Sequence, residues 1–163
     1  SAEDEARELA AIEATDMRGV VAIDGARPLL RSLPQDAWAI VTSGVRQVVI
    51  PRLETLELPI PSIMITADDV VKGKPDPEPY IAGATALGIP LEQCVVIEDA
   101  PAGIAAARSA GMRTIAVAST HEPAELTMAT AIADRLSDIW VEPGSESRLA
   151  IHIGGENTGM QTN

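Results

Sequence analysis

Phenylalanine is absent from this sequence, and one tyrosine and two tryptophans hold the aromatic content to 2%. Bases of single-stranded nucleic acid therefore find no stacking platform here. Basic residues are also scarce: 12 Lys and Arg stand against 24 Asp and Glu, for a net charge of −12. That balance repels polyphosphate backbones, and no basic stripe offsets it, so nucleic acid and anionic membrane surfaces are poor partners. Cysteine occurs once, as Cys94, which excludes a disulfide framework and a cysteine metal cluster and leaves a packed thiol as its reading. Uninterrupted apolar runs are only a few residues long, far short of the roughly 20 that a spanning helix needs. The opening SAEDEARE is the opposite of a signal peptide's basic start, so the expectation is a cytoplasmic protein. What remains, with 46% apolar and 22% charged residues over 163 positions, is ordinary composition for one soluble domain or most of one.

The most informative stretch is VVKGKPDPEPY, Val70–Tyr80. Pro75, Pro77 and Pro79 cannot donate to a backbone ladder, so Lys74 is carried on a loop that fixes one cation in space. A helix starts cleanly behind it, because proline is tolerated in a first turn and Asp76 and Glu78 suit the positive end of a helix dipole.

Along the chain, 2–14 reads as an amphipathic helix with Ala6, Leu9, Ala10 and Glu13 on one face and Glu3, Asp4, Glu5 and Glu8 in its first turns. Val20–Ala26, VVAIDGA, is an apolar run ending in Asp-Gly; Asp24 has no second acid two positions on and is read as a turn aspartate, with a helix opening at Pro28 and running through Leu33. Trp38–Val41 suits a strand buried on both faces, ending at Thr42-Ser43-Gly44. Val45–Leu56 is a helix with Pro51 inside it, so a kink or a late start is expected, and Ile63–Thr66 is the next strand. Helix Pro79–Leu87 closes at Gly88; strand Val95–Ile97 ends in Glu98-Asp99; helix Pro101–Ala110 closes at Gly111. Thr114–Ala118 is a fourth strand, and Leu126–Ala133 is a further expected helix. Strands alternating with helices at this spacing imply an α/β domain, a Rossmann-like parallel sheet covered by helices on both faces. After Trp140, EPGSES reads as a turn, Arg148–Ile153 as an added edge strand, and GGENTGMQTN as disordered. His121 and His152 lack a second ligand at useful spacing.

A parallel sheet brings all strand carboxyl ends to one side, where ligands bind. Thr42, Ser43, Gly44, Lys74, Glu98 and Asp99 are therefore expected to converge. Hydroxyl and amide donors with one lysine suit a phosphoryl group, and adjacent carboxylates supply hard oxygen ligands for Mg²⁺. The plainer reading of Glu98-Asp99 is a pair of helix N-cap acids.

IVTSG (Ile40–Gly44), KGKPDPEPY (Lys72–Tyr80) and VVIEDAPAGIAAARSAG (Val95–Gly111), in that order, resemble the second, third and fourth motifs of the haloacid dehalogenase-like phosphatases. The wording is most similar to the small sugar-phosphate and glycerol-phosphate phosphatases, and the resemblance runs over roughly Asp24–Trp140. It implies that Thr42, with the amides of Ser43 and Gly44, binds the transferring phosphoryl oxygens. It further implies that Lys74 neutralises the phosphoryl charge and the nucleophile, that Asp99 with Glu98 holds Mg²⁺, and that Gly103 lets the loop approach the metal. The substrate implied is a small phosphorylated metabolite, a sugar or polyol phosphate.

The sequence departs from that family in one large respect. The family's reaction needs an aspartate nucleophile and a second aspartate two residues on, both in a DxDGT loop after the first strand. No such loop is present. By resemblance, 1–17 is the end of a helical cap domain, 18–141 the core without its first strand, and 142–163 a C-terminal extension. The expectation is a phosphatase whose nucleophile lies on a segment outside this sequence, with strands near Trp38 and Ile63 separated by an empty slot from those near Val95 and Thr114. A phosphosugar mutase of the β-phosphoglucomutase type is the alternative within the enzyme class. A non-catalytic phosphate-binding or scaffold protein is the alternative outside it.

Overall fold

Four apolar runs cut off by small or acidic turn residues form short strands: β1 (Ala39–Val41), β2 (Ile63–Ile65), β3 (Val95–Glu98) and β4 (Arg113–Val117). The structure, a computed structural model, describes residues 2–145 and 148–154. Helices alternate with the strands: α1 (Ala2–Thr15), α2 (Ala26–Ser32), α3 (Arg46–Thr55), α4 (Glu78–Leu87) and α5 (Pro101–Ser109). Pro51 lies inside α3, and α1 packs against that helix. Gly88 closes α4 at φ 68°, a left-handed cap that a residue without Cβ adopts freely. The α1 face assigned to Ala6 and Ala10, the acids Glu3 and Asp4, and the tail from 155 lie outside the described residues or side chains.

β1 pairs parallel with β2, and β3 pairs parallel with β4. The two sets form separate sheets, as the expected slot requires. β4 is buried on both faces: Ile115 and Val117 join Leu29 of α2 on one side, while Ala116 meets Ile104 and Leu126. A strand enclosed this way is what a parallel sheet between helical layers produces. In a chain without phenylalanine the helices sit on the sheet through small residues. Ala106, Ala107 and Ala110 pack with Tyr80, Ala84 and Val96, and Gly83 of α4 comes so near β1 that a Cβ would lie 3.0 Å from Val41.

Three segments differ from the sequence expectation. Leu126–Ala133 is not a helix; its end is a strand, β5 (Ala131–Ala133), which extends the sheet beyond β4. The reason is a partner sixteen positions back: the Thr130 amide donates to the Thr114 carbonyl at 2.9 Å, and the Thr130 hydroxyl accepts the Thr114 amide at 3.0 Å. Fully buried Leu126 meanwhile plugs the core from a turn. The VVAI run, apolar as it is, does not become buried either. It pairs with no strand among the described residues, Val21 is 78% and Ile23 52% exposed, and Asp24 lies in a turn, as read. Finally, the stretch read as a turn after Trp140 begins inside a strand. β6 (Ile139–Pro143) pairs antiparallel with β7 (Leu149–Ile153), so the expected edge strand belongs to a separate hairpin. Its His152 stacks on Trp140 and approaches Glu142 at 3.1 Å. No helix among the described residues is long and apolar enough to cross a membrane.

Candidate active site

The carboxyl ends of β1 and β3 face a cavity of about 330 Å³ whose lining includes Thr42, Ser43, Lys74, Glu98 and Asp99, together with apolar Val41, Ile97 and Val117. Five of the six residues named from the sequence thus meet in one place. Gly44 does not line it.

Lys74 bridges the gap between the two sheets. Its ammonium donates to the Val41 carbonyl at 3.1 Å, at the end of β1, and to Glu98 Oε1 at 2.5 Å, at the end of β3. The side chain is only 12% exposed and its loop is held from behind. Glu78 accepts the amides of Val71 and Lys72 at 2.8 and 2.9 Å, and Asp76 accepts the Glu78 amide at 3.0 Å. The acids expected to favour the start of α4 thus also clamp the loop that precedes it.

The sequence groups Glu98 with Asp99 as an oxygen ligand, but in the structure its carboxylate is already crowded with donors. Oε1 accepts Lys74 and the Tyr80 hydroxyl at 2.9 Å; Oε2 accepts the amides of Asp99 and Ala100 at 2.8 and 3.0 Å. Burial pushes this carboxyl up, yet the hydrogen bond and charge of Lys74, with the Ala100 amide and the Tyr80 hydroxyl, outweigh it and hold Glu98 below its ordinary value. Gly103 has a task that the resemblance does not name: a Cβ there would overlap the Glu98 carboxylate, so the glycine is the seat of that side chain. Asp99 is less encumbered. Its Oδ2 accepts the Thr120 hydroxyl at 2.8 Å, and His121 Nδ1 lies 3.0 Å from its carbonyl.

At the opposite wall, Thr42 and Ser43 reach the cavity directly after β1. The Gly44 amide, expected to be open to an anion, is donated instead to Thr42 Oγ1 at 3.1 Å, a hydroxyl turn that closes the loop on itself. The loop is braced from β2: Ala67 N donates to the Gly44 carbonyl, and the Arg46 guanidinium joins the Met64 carbonyl to Asp69. Asp69 in turn accepts the hydroxyl and amide of fully buried Thr66, and these bonds, the hydroxyl foremost, lower its pKa.

The haloacid dehalogenase-like hydrolase model matches residues 4–117, most of the chain and all of the strands that supply this cavity's polar wall. The chain belongs to that family. Among similar haloacid dehalogenase-like proteins is Hexitol phosphatase A of Escherichia coli, 40% identical over 132 residues, covering 80% of this chain and 61% of the relative. Glycerol-1-phosphate phosphohydrolase 1 of Saccharomyces cerevisiae is 42% identical over 100 residues, covering 57% and 40%. Among solved structures, a putative beta-phosphoglucomutase from Thermotoga maritima superposes with TM-score 0.67 at 30% identity, covering 72% of this chain and 57% of that one. The chain thus spans about three-fifths or less of these relatives.

Sequence reasoning weighs His121 only as a metal ligand and does not single out Thr120 or the role of Tyr80. Thr120 carries a legible signal, since Ser119-Thr120 is a hydroxyl pair just past the end of β4, as Thr42-Ser43 is past β1. Tyr80 stands inside the quoted lysine motif, but nothing in spacing says that its hydroxyl turns to a carboxylate 18 positions away.

Proposed function

We propose that this chain is the larger part of a Mg²⁺-dependent phosphatase acting on small phosphorylated sugars or polyols. The observation that carries the reading is Lys74, a nearly buried ammonium fixed between two strand ends beside Thr42 and Asp99, where a phosphoryl group needs a cation and hydroxyl donors. The ammonium has three N–H donors. Val41 and Glu98 take two, which leaves one for a phosphoryl oxygen. Thr42 and Ser43 serve the same anion from the far wall, and the hydrogen-bonded loop behind Thr42 keeps its hydroxyl in place without reorganisation.

Adjacent hard oxygen ligands fit Mg²⁺, and Asp99 is the better of the two, because Glu98 is committed to Lys74. Among the described residues no group of three or more His, Cys, Asp and Glu side chains comes together, so further oxygens would come from elsewhere. When bound, the ion would neutralise charge on the transferring group. β1 and β3 present unpaired parallel edges on either side of the cavity, and we assign that gap to a strand outside the described residues which brings the aspartate nucleophile that forms an aspartyl-phosphate. In this reading α1 is the end of a cap that selects the leaving group. The names of the hexitol and glycerol-phosphate relatives support the substrate class.

The test is Asp99→Asn in the intact protein with p-nitrophenyl phosphate. Mg²⁺-dependent turnover should be abolished, and retention of more than a few per cent would remove Asp99 from the metal assignment. A wild type that binds phosphate through Lys74 but never hydrolyses the ester would establish the non-catalytic reading. Interconversion of glucose phosphates without release of phosphate would establish the mutase that the Thermotoga structure brings to mind.

A further inference from the structure

Tyr80 is the chain's single tyrosine, and it is 5% exposed. A buried phenol must place its hydroxyl on a partner, and backbone carbonyls are the commonest acceptors to hand. Here the partner is Glu98 Oε1, at 2.9 Å, the same oxygen that accepts Lys74. The Tyr80 ring also lies beneath the ammonium, with Lys74 Nζ 4.9 Å from its centroid, inside cation–π range. One residue of α4 therefore touches both members of the ion pair, one through its hydroxyl and the other through its face.

We propose that Tyr80 is a positioning residue which keeps Lys74 available to a phosphoryl anion by sharing Glu98. Its hydroxyl occupies one lone pair of Oε1. Without that donor, the oxygen turns wholly to the ammonium, deepens the internal pair and draws Lys74 away from the incoming anion. The ring fixes the height of the ammonium, so Lys74 is set from below by an aromatic face, from one side by Val41 and from the other by Glu98. Packing against Ala84 and Val96 holds the ring in the core, and Gly103 holds the carboxylate. The arrangement differs from a general stabilising contact in that, among the described residues, both groups the Tyr80 side chain reaches by a polar interaction, Glu98 and Lys74, belong to the candidate site.

This inference rests on the phosphate-binding part of the proposed function, and its test separates the two. Inorganic phosphate is titrated calorimetrically into the full chain and its Tyr80→Phe variant, which keeps the ring and loses the hydroxyl. Affinity should fall about tenfold, the size expected for a hydrogen bond to a charged group. A merely structural tyrosine would lower the unfolding midpoint and leave phosphate affinity unchanged. In a Glu98→Gln background the same change should have little further effect, because the oxygen it governs no longer competes as an anion. Tyr80→Leu, which also removes the ring, should weaken phosphate more than Tyr80→Phe. Affinity for Tyr80→Phe within twofold of wild type, a full loss undiminished in the Glu98→Gln background, or no phosphate binding by wild type overturns the proposal. If the intact wild type fails to hydrolyse p-nitrophenyl phosphate while phosphate affinity still depends on the Tyr80 hydroxyl, the phosphatase reading fails and this one stands.

Discussion

Replacing Gly103 by alanine tests the way this site is built. At an open helical position that change stabilises a protein by roughly 0.5–1 kcal/mol, because glycine loses more freedom on folding. Gly103 lies in the first turn of α5, where a Cβ would overlap the carboxylate of Glu98. That side chain is 8% exposed and tied to four donors, so it cannot step aside and keep its partners. Hydrogen bonds to charged groups contribute about 1.5–3 kcal/mol each, but a displaced carboxylate and a freed ammonium regain water in the neighbouring cavity. A loss of about 2–4 kcal/mol before the helical gain is therefore reasonable, and about 1–3 kcal/mol after it. For a chain of this size that lowers the thermal midpoint by roughly 2–12 °C. Thermal unfolding followed by circular dichroism measures it, and Glu98→Ala supplies the control: once the obstruction is gone, adding Gly103→Ala should be neutral or raise the midpoint. If Gly103→Ala alone is as stable as wild type, Glu98 is not seated where the argument needs it.

Lys74→Met should strand a buried carboxylate and destabilise the chain by about 3–5 kcal/mol, with loss of phosphate binding, as read by urea unfolding and calorimetry. Because Glu98 titrates below its ordinary value when folded, its contribution is present above the unfolded carboxylate value of 4.5 and disappears as pH falls through the lowered one. Stability measured from roughly pH 6 down to 3 should therefore drop less steeply in Glu98→Gln than in wild type, and an equally steep drop would detach Glu98 from the acid transition. Thr130→Val leaves the Thr114 amide, on a residue 2% exposed, without its acceptor and should cost about 1–3 kcal/mol in denaturant unfolding. An unchanged midpoint would mean that the threonine pair does not hold β5 to β4.

The alternation of strand and helix from Trp38 to Val117 was legible because each strand is a short apolar run cut off by residues that only a turn tolerates: Thr42-Ser43-Gly44, the prolines around Lys74, and Glu98-Asp99. The rim's membership followed from the rule that parallel strands end on one side. What escaped were features decided by a partner far away in sequence. Leu126, Ala129 and Ala133 repeat at helical spacing, and only the pairing of Thr130 with Thr114 turns that segment into a strand. Gly44 reads as an open amide until Thr42 folds its hydroxyl back onto it. Glu98 and Asp99 look equivalent side by side, yet Glu98 ends β3 facing Lys74 and Tyr80, while Asp99, just past the strand, lies near Thr120. No local pattern distinguishes those fates, because the donors that decide them come from α4 and from the loop after β4.

The lysine crosspiece ties the grip on a ligand to the cohesion of the molecule. Because the same ammonium spans from β1 to β3 and offers its remaining proton outward, an anion arriving there draws on the tether that joins two half-sheets sharing no backbone ladder. Occupancy and the link between the two strand ends therefore meet at one side chain, and a phosphate titration followed by amide exchange should register at Ala39–Val41 and Val95–Glu98 together.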